Sequence, residues 1–418
     1  MKKVLVISYY FPPFRNTSWI LRVAKFVKYL PSFNWNPIVF TAKTIYSKSK
    51  DFYFFNDVPK SIKIYRFLDF DPAALIPPWI SFKIRQTIKT SEYHKLFWTP
   101  FAVSHGCDII DKEGIDIIYA TGKPYVNFIV ASKIKDITGL PIVLDFRDPW
   151  SLNPYEIRNC AKYRVKAGVI EEKILRKADF MICTSSLTKE KYLNLYGFLK
   201  DKIEVIPNGY DDEDFINAWK QNDKFYSKKM LITYTGSFYM SRTPSYFLKG
   251  LSAMLKENPE ISKHILVRFI GEVELRSFDR LIKELELESI VCHMGLIPHR
   301  KCIEEIIKSD VLLLITSSLR DEEMFISSKA YEYIASGKTI LALVPLQSEL
   351  ASLTKECGAG IVVQPDDIVE IKMALLSIYQ KWKSGNMTAC NNLETTKQFQ
   401  RKELTGKLSQ IFNNLLNK

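Results

Sequence analysis

The feature that most constrains this chain is the alternation of short apolar runs with amphipathic segments of helical period. The runs are rich in Val, Ile and Leu, and most of them end at Gly, Pro, Ser, Thr or Asn. Such an alternation is typical of βα units built around parallel sheets. Seven runs lie in the first half of the chain and six in the second. The sequence therefore predicts an α/β fold of two doubly wound, Rossmann-like domains that face one another across a cleft.

A polar segment separates the two sets of runs. Residues 206–228 are rich in Asp, Lys and Asn and contain no sheet-type run, which predicts a linker. We therefore expect an N-terminal domain over residues 1–205 and a C-terminal domain over residues 229–390. Residues 391–418 are expected to form a final helix that can pack back on the N-terminal domain. A length of 418 residues agrees with two or three domains.

The net charge of +13 is confined to the first half of the chain. Residues 1–205 contain 32 Lys and Arg against 19 Asp and Glu, whereas the remainder contains 27 of each. This asymmetry predicts an anionic partner for the first half, which is a nucleic acid, a membrane surface or a phosphorylated substrate. A merely solubilising surface is the alternative interpretation.

The cysteines and the apolar runs favour a cytoplasmic protein. The seven cysteines show no CxxC spacing, and several lie in apolar runs, so we expect reduced, buried thiols and no zinc site. The N-terminal run flows into Pro12 and Pro13 without a cleavage pattern, and we interpret it as a first strand. No run reaches the length of roughly eighteen apolar residues that a spanning helix needs.

Ligands of open α/β sheets bind beyond the carboxyl ends of the strands, where loops lead into helices. Four such loops carry suitable residues, at positions 145–150, 235–244, 295–300 and 321–333. In the second of them, Gly236 permits close backbone approach and Arg242 offers a forked donor. This combination predicts a diphosphate cradle, although an ordinary strand-to-helix turn with an exposed Arg is the alternative.

The fourth loop leads into a short helix pattern. Ser327 and Ser328 can cap this helix, and its free amides would attract an anion. Lys329 in the first turn opposes the helix dipole, which is poor for stability but suits a phosphate. Glu332 lies one turn further on and can accept hydrogen bonds from ribose hydroxyls. An ordinary Lys–Glu helix pair is the alternative.

Several segments together resemble a known family. They are PIVLDFRDPWS, YTGSFYMSR, MGLIPHRKCIEEIIKSDVLLL and SKAYEYIASGKTILAL. Their order and spacing resemble the family 4-type retaining glycosyltransferases of bacterial polysaccharide biosynthesis, which have the B-type two-domain fold. The resemblance implies transfer of a sugar from a nucleotide-diphospho-sugar to a lipid-linked or oligosaccharide acceptor, in lipopolysaccharide or capsule assembly. It also implies retention of configuration, with no cofactor and no bound metal.

The resemblance implies that the second domain holds the donor. Arg242 would contact the diphosphate, with help from Lys329 and the amides around Ser328, while Glu332 would bind the ribose. The loop that includes Ile297 and Pro298 would border the nucleobase. Close backbone approach to the nucleotide would occur at Gly236 and Gly271.

The resemblance places acceptor-side chemistry in the loop at residues 145–150. Arg147 and Asp148 would lie near the transferred sugar, and Asp148 is expected to act as an acid/base or as a sugar-positioning group. The alternative is structural, since an Asp before Pro often caps a turn.

Two positions depart from the family pattern. The family pairs two glutamates separated by seven residues, and the position that would pair with Glu332 is Met324. Glu323 offers a carboxylate in a neighbouring register. Phe247 stands where the family usually has a Lys, and Lys329 is the candidate replacement.

Three other functions remain open: a nucleotide-sugar epimerase of the same shape, a non-catalytic relic that binds nucleotide sugar, and a nucleic-acid-binding protein. No recognised nucleic-acid motif accompanies the basic charge.

Residues 73–105 interleave aromatic and basic side chains, which suits the headgroup region of an anionic membrane. We therefore expect peripheral binding to the cytoplasmic face of the plasma membrane. The alternative is that these aromatic residues pack on the first domain and line an acceptor pocket.

Overall fold

The computed structural model describes residues 1–13, 17–43, 57–68, 98–154, 161–221, 228–238, 242–317, 322–387 and 393–417. The chain divides into two compact units, the first comprising Met1–Pro207 and Arg401–Lys418, and the second Asn208–Gln400. Each unit contains one sheet, with seven strands in the first and six in the second. The two-domain α/β fold that the sequence predicts is confirmed.

The first unit is a seven-stranded parallel sheet in the order β3-β2-β1-β4-β5-β6-β7. Its strands are β1 Lys2–Ile7, β2 Trp35–Lys43, β3 Ile64–Leu68, β4 Ile117–Gly122, β5 Ile142–Phe146, β6 Phe180–Cys183 and β7 Ile203–Val205. Its helices are α1 Thr17–Tyr29, α2 Thr99–Glu113, α3 Val126–Thr138, α4 Ala161–Lys177 and α5 Ser186–Leu195, joined by α14 Arg401–Leu416 from the end of the chain.

The second unit is a six-stranded parallel sheet in the order β10-β9-β8-β11-β12-β13. Its strands are β8 Met230–Thr235, β9 Ile265–Ile270, β10 Val291–Gly295, β11 Val311–Ile315, β12 Thr339–Leu343 and β13 Gly360–Val363. Its helices are α6 Asp212–Gln221, α7 Ser245–Glu257, α8 Leu275–Glu284, α9 His299–Lys308, α10 Ser328–Ser336, α11 Glu349–Glu356, α12 Ile368–Lys383 and α13 Leu393–Lys397.

Both faces of each sheet are covered by helices. In β1, Leu5 and Ile7 belong to one buried cluster, whereas Val4 and Val6 belong to another. The strands of the second unit divide in the same way between two clusters. Successive side chains of a strand point to opposite faces, so a strand buried on both faces is apolar at nearly every position. This is why the strands appear in the sequence as continuous apolar runs.

The segment between the two sheets differs from an extended linker. Residues 206–228 include α6, which belongs to the second unit, and Tyr210 forms a parallel bridge with Gln400. Helix α14 belongs to the first unit, where Leu404 and Leu408 are fully buried and the rings of Phe412 and Trp35 are 5.1 Å apart. The chain therefore leaves the first unit at Pro207 and returns to it at Arg401.

A buried ion pair joins α1 to the middle of the first sheet. Arg22 Nε donates to Asp145 Oδ2 at 2.9 Å, and Arg22 Nη2 donates to Asp145 Oδ1 at 3.0 Å. Arg22 also donates to the carbonyl oxygens of Ile206 and Pro207, and Tyr119 Oη donates to Asp145 at 2.6 Å. Both members of the pair are at most 1% exposed. Burial opposes the charge, but the contact with Asp145 keeps the pKa of Arg22 above its ordinary value.

Trp98 does not fit the membrane interpretation of residues 73–105. Its side chain is fully buried and stacks on Phe40 with a ring separation of 5.4 Å. Residues 69–97 lie outside the described residues, so the rest of that prediction stays a prediction. Within the described part of the chain, no helix has both the length and the apolar character needed to cross a bilayer.

The cysteines of the described residues are all free thiols. Cys183 and Cys357 are buried, as expected, and Cys107 and Cys302 are partly buried. Cys292 is exposed, so the expectation of burial is wrong for that residue. The edge strand β10 that carries it alternates between buried and exposed positions, which explains the exposure.

We predict that Arg22→Met destabilises the protein by about 3–5 kcal/mol, because it leaves the Asp145 carboxylate buried without its charged partner. Chemical denaturation measures the free energy of unfolding. Arg176→Met is the matched control: it breaks an exposed pair with Glu172 and should cost less than about 1 kcal/mol. Equal losses in the two variants would contradict the role of the buried pair.

Candidate functional site

The order of strands in the second sheet reverses at β8. Strands β9 and β10 extend the sheet on one side of β8, whereas β11, which follows them in sequence, pairs with β8 on the other side. Loops that follow strands on either side of such a point diverge and leave a crevice at the carboxyl edge. Gly236 follows β8, and Glu322 and α10 follow β11. The predicted donor-binding residues of the second domain are thus carried by loops at one edge of one sheet.

Two glycines let the loops after β8 and β9 lie in close contact. Gly236 has φ +108° and donates to Ile270 O at 2.7 Å. Gly271 has φ +141°, and a Cβ at this position would lie 2.2 Å from Gly236 O. Side chains are therefore excluded at both positions. These contacts join the two loops to one another, and the predicted approach of a nucleotide to Gly236 and Gly271 stays a prediction.

Lys329 lies across the first of these glycines. A Cβ at Gly236 would lie 2.8 Å from Lys329 Nζ, and the same Nζ is 4.0 Å from the centroid of the Tyr234 ring. Burial of the ammonium group, and secondarily the charge of Arg242, lower the pKa of Lys329 to about 7. A bound anion would offset both effects, because it supplies the opposite charge that the group lacks.

Arg242 is paired with a carboxylate that the sequence interpretation did not choose. Arg242 Nε lies 3.5 Å from Glu322 Oε1, and the two side chains are 8% and 1% exposed. Glu322 Oε2 accepts hydrogen bonds from Ser317 N at 2.8 Å and Ser317 Oγ at 2.5 Å. Burial raises the pKa of Glu322 to about 7, although the bond from Ser317 N opposes this.

The two residues that depart from the family pattern, Met324 and Phe247, are both buried. Met324 is 1% exposed and Phe247 is fully buried, so both are packing residues of the second unit. Glu323, the carboxylate proposed from the sequence, is partly buried. A signal for Glu322 was present in the acidic run at residues 321–323, but spacing alone did not distinguish its members.

Glu332 is buried and its partner is a histidine. Glu332 Oε1 lies 2.9 Å from His299 Nε2, and no ion pair joins Glu332 to Lys329 within the described residues. The described contacts of Glu332 thus favour a pair with His299 over a direct pair with Lys329, although the charge of Glu332 still acts on Lys329, where it opposes the lowering of the pKa by burial. His299 begins α9, immediately after Pro298. The sequence interpretation did not select His299, because no local pattern pairs it with a residue of α10. Ile297 is partly buried and Pro298 is exposed.

The start of α10 differs in one detail from the expected cap. Ser327 occupies the N-cap position, but its side chain makes no capping hydrogen bond. The expectation of a side-chain cap from Ser327 is therefore wrong. Ser328 is the first helical residue and Lys329 the second. The first amides of α10 consequently lack the side-chain acceptor that usually satisfies one of them.

The acceptor-side residues lie in the first unit, in the loop after β5. Arg147 is buried, and its carbonyl accepts from Thr184 Oγ1 at 3.0 Å. Asp148 is partly buried and its carboxylate makes no hydrogen bond to the described residues, so it does not cap a turn there. The structural alternative for Asp148 therefore finds no support in these contacts.

Buried polar contacts fix the remainder of this loop. Tyr125 Oη donates to Pro149 O at 2.6 Å, and Trp150 N donates to Tyr192 Oη at 3.0 Å. Glu171 accepts from both the backbone and the hydroxyl of Ser151, and burial raises the pKa of this carboxyl group. These contacts anchor the loop after Asp148, and the bond from Thr184 to the Arg147 carbonyl anchors it before that residue.

Comparison with known proteins gives the class of the chain. Residues 23–214 match the model of Glycosyltransferase Family 4. This match covers slightly less than half of the chain. Together with the two-domain fold, it supports the resemblance to family 4-type glycosyltransferases of the B-type fold and a glycosyltransferase activity. No curated protein matches the chain.

Solved structures share the fold at low sequence identity. Sucrose-phosphate synthase from Thermosynechococcus elongatus has a TM-score of 0.70 and 16% identity over 100% of both chains. WaaG, a glycosyltransferase involved in lipopolysaccharide biosynthesis, has a TM-score of 0.64 and 14% identity over 98% of this chain and 99% of its own. The S. aureus MnaA structure with UDP has a TM-score of 0.56 and 13% identity over 100% and 97%.

We predict that Gly236→Ala lowers the free energy of unfolding by more than about 1 kcal/mol, because the new Cβ meets Lys329 Nζ and φ is positive. Gly168→Ala is the matched control. Its Cβ has ordinary 3.8 Å contact with Ser151 and the residue lies inside α4, so it should stabilise by about 0.5–1 kcal/mol. Denaturant titration of both variants measures these changes, and a stabilising Gly236→Ala would refute the packing described.

Proposed function

We propose that the second unit binds a nucleotide-diphospho-sugar and that the enzyme transfers its sugar to a saccharide acceptor. The observation that carries this proposal is the packing of Lys329 Nζ over Gly236, with Arg242 close enough to lower the pKa of that amine. Two cations held together beside glycine backbone suit a diphosphate, whose oxygens need donors and positive charge at short range.

The neighbouring groups supply the other contacts of a nucleotide. The uncapped start of α10 at Ser327 and Ser328 offers backbone amides to a phosphate oxygen. Glu332, held by His299, offers a carboxylate oxygen to ribose hydroxyls. The loop with Ile297 and Pro298 provides an apolar border for the base. We assign these roles by position. Glu322 is the carboxylate in contact with Arg242, and Glu323 stays the candidate carboxylate in the register next to Met324.

The proposed mechanism is electrostatic. As the glycosidic bond breaks, negative charge develops on the leaving diphosphate, and prearranged cations stabilise that charge without reorganisation. Arg242 and protonated Lys329 perform this task with no metal or cofactor required. We propose retention of configuration, with Asp148 near the transferred sugar as an acid/base or positioning group and Arg147 beside it.

We propose a lipid-linked saccharide acceptor in the assembly of lipopolysaccharide or capsule, with the protein in the cytoplasm on the inner face of the plasma membrane. Supporting this proposal, the fold is shared with WaaG, a glycosyltransferase involved in lipopolysaccharide biosynthesis. The positive charge of the first half of the chain suits an anionic bilayer.

The exposed face of α4 is the candidate surface for contact with the membrane. Val165, Val169 and Ile170 are 68%, 50% and 42% exposed. Lys166 and Lys173 are exposed between them and form no ion pair within the described residues. Exposed β-branched residues interleaved with free cations are unfavourable in water and suited to an anionic headgroup layer. We commit to an anionic bilayer as the partner of this face.

We predict that UDP or GDP, or a sugar conjugate of one of them, raises the melting temperature, since a ligand of the native state adds about 2.7 kcal/mol at a hundredfold excess over Kd. A thermal-shift panel that includes NAD(P) is the measurement. Arg242→Ala should weaken binding roughly ten- to hundredfold, because a charge-assisted contact of about 1.5–3 kcal/mol is lost.

Asp148→Asn is the control for this experiment. It should leave nucleotide affinity unchanged and reduce sugar transfer, because its proposed role is in the chemical step. A shift with NAD(P) alone would refute the proposed donor. An epimerised nucleotide sugar in place of a transfer product would favour the epimerase, and donor binding with neither transfer nor slow hydrolysis would favour the non-catalytic relic.

We predict that the protein sediments with vesicles containing phosphatidylserine, and that binding falls as salt rises because exposed charges are screened. Lys166→Gln with Lys173→Gln should weaken binding roughly thirtyfold, since each cation contributes about 1 kcal/mol. Lys381→Gln with Lys383→Gln, which removes two exposed cations from α12, is the matched control and should bind normally. Equal binding to neutral vesicles, or no binding to either kind, would refute the membrane proposal.

A further inference from the structure

The contact between Arg242 and Glu322 is too long for a formed hydrogen bond. The Nε to Oε1 distance of 3.5 Å exceeds the 2.7–2.9 Å that is typical of charge-assisted bonds. Glu322 Oε1 is buried and accepts no hydrogen bond in the part of the chain that the structure describes. The two groups therefore compensate one another's charge without a directional bond, so an anion that approaches Arg242 has no hydrogen bond between Nε and Oε1 to break.

The carboxylate, in contrast to the guanidinium, is anchored. Ser317 N and Ser317 Oγ both donate to Oε2, and Glu322 begins a short 3-10 turn that ends at the buried Met324. When an anion approaches Arg242, the carboxylate stays in place and repels it. Relief comes when Glu322 takes up a proton from solvent, since a neutral carboxyl group removes the like-charge repulsion.

We propose that Glu322 is the resident counter-ion of Arg242, which a bound diphosphate replaces, so that this carboxyl group sets how tightly the site holds a nucleoside diphosphate. This inference rests on the proposed function, because it requires that the diphosphate contact Arg242. It adds a residue that lies outside the family's paired-glutamate register, where Met324 stands. Glu322 acts through Arg242 and is therefore a positioning residue rather than a catalytic one.

The charged groups around Glu322 agree with this role. Arg242 faces it from the loop after β8, and Lys329 of α10 faces Arg242. Helix α11 packs against the turn and carries Glu349, Lys355 and Glu356, but Lys355 forms no ion pair with Glu322 within the described residues. Glu332 and Cys302 act on Lys329 from α10 and α9. Among the described residues, Arg242 is thus the cation that lies next to Glu322.

The expected pH dependence has a definite sign. The pKa of Glu322 is about 7, so the carboxyl group is mainly charged at higher pH and then repels a diphosphate. The pKa of Lys329 is also about 7, so the amine is mainly charged at lower pH and then attracts a diphosphate. Both groups therefore weaken binding as pH rises from 6 to 8. A substitution at Glu322 removes the contribution of this carboxyl group to the pH dependence and leaves the contribution of Lys329 in place.

The test compares UDP affinity of the wild type and Glu322→Gln by calorimetry at pH 6 and pH 8, or GDP affinity if the nucleotide panel selects GDP. Gln keeps the shape of the side chain and can still accept from Ser317. We expect about tenfold tighter binding than wild type at pH 8 and little difference at pH 6. Titration of the nucleotide itself is common to both proteins and cancels in the comparison. Glu356→Gln, an exposed carboxylate of α11, is the control and should behave as wild type.

The outcomes separate the inference from the proposed function. If the wild type binds no nucleotide, the proposed function fails. If the wild type binds but Glu322→Gln binds more weakly or equally at pH 8, the counter-ion role is overturned. In an Arg242→Ala background the gain from Glu322→Gln should be smaller, because the diphosphate is then no longer drawn to the cation beside this carboxylate. A gain of unchanged size there would also overturn the proposal.

Discussion

Parallel pairing is the constraint on which the rest of this structure depends. Every strand in each sheet pairs in parallel with its neighbours, so all carboxyl ends of a sheet lie on one edge. Each connection must then cross over, and right-handed helical crossovers cover both faces of the sheet. The reversal of strand order beside β8 opens the carboxyl edge at one point. Gly236, Lys329 and Glu322 meet there because the topology leaves space at that edge.

Charge balance governs the site in the second unit. Arg242 is close enough to Lys329 to disfavour the charge of that amine. Two carboxylates, Glu322 and Glu332, offset the positive charge, and their partners are Ser317 and His299. Fully compensated cations would bind an anion weakly, whereas uncompensated ones would destabilise the fold. The loose 3.5 Å contact of Glu322 with Arg242 lies between these limits. Such an arrangement suits the proposed binding and release of a diphosphate.

The first unit uses buried polar groups to hold its loops. Asp145 lies in β5 and is paired with Arg22, which also holds the chain at Ile206 and Pro207, where it leaves the unit. Three residues later in the sequence, Asp148 lies in a loop fixed by Tyr125, Tyr192 and Glu171. A side chain that must meet a sugar benefits from a rigid backbone, since small displacements of a reacting group are costly. The strand that carries the central ion pair therefore leads directly into the loop that carries the candidate chemical group.

The sequence by itself predicted the thirteen strands of the described residues, the two sheets and the loops that carry the candidate site, because burial on both faces makes most of these strands continuous apolar runs. It also selected Gly236 and Gly271 as positions of close backbone approach to a nucleotide, and the structure shows that these two glycines bring the loops after β8 and β9 into contact. Only the tertiary structure decided which carboxylate faces Arg242, that His299 holds Glu332, and that Trp98 belongs to the core. Periodicity reports which face of an element is buried, whereas these pairings join residues on different elements. Their distances depend on how the loops pack, which no local pattern contains.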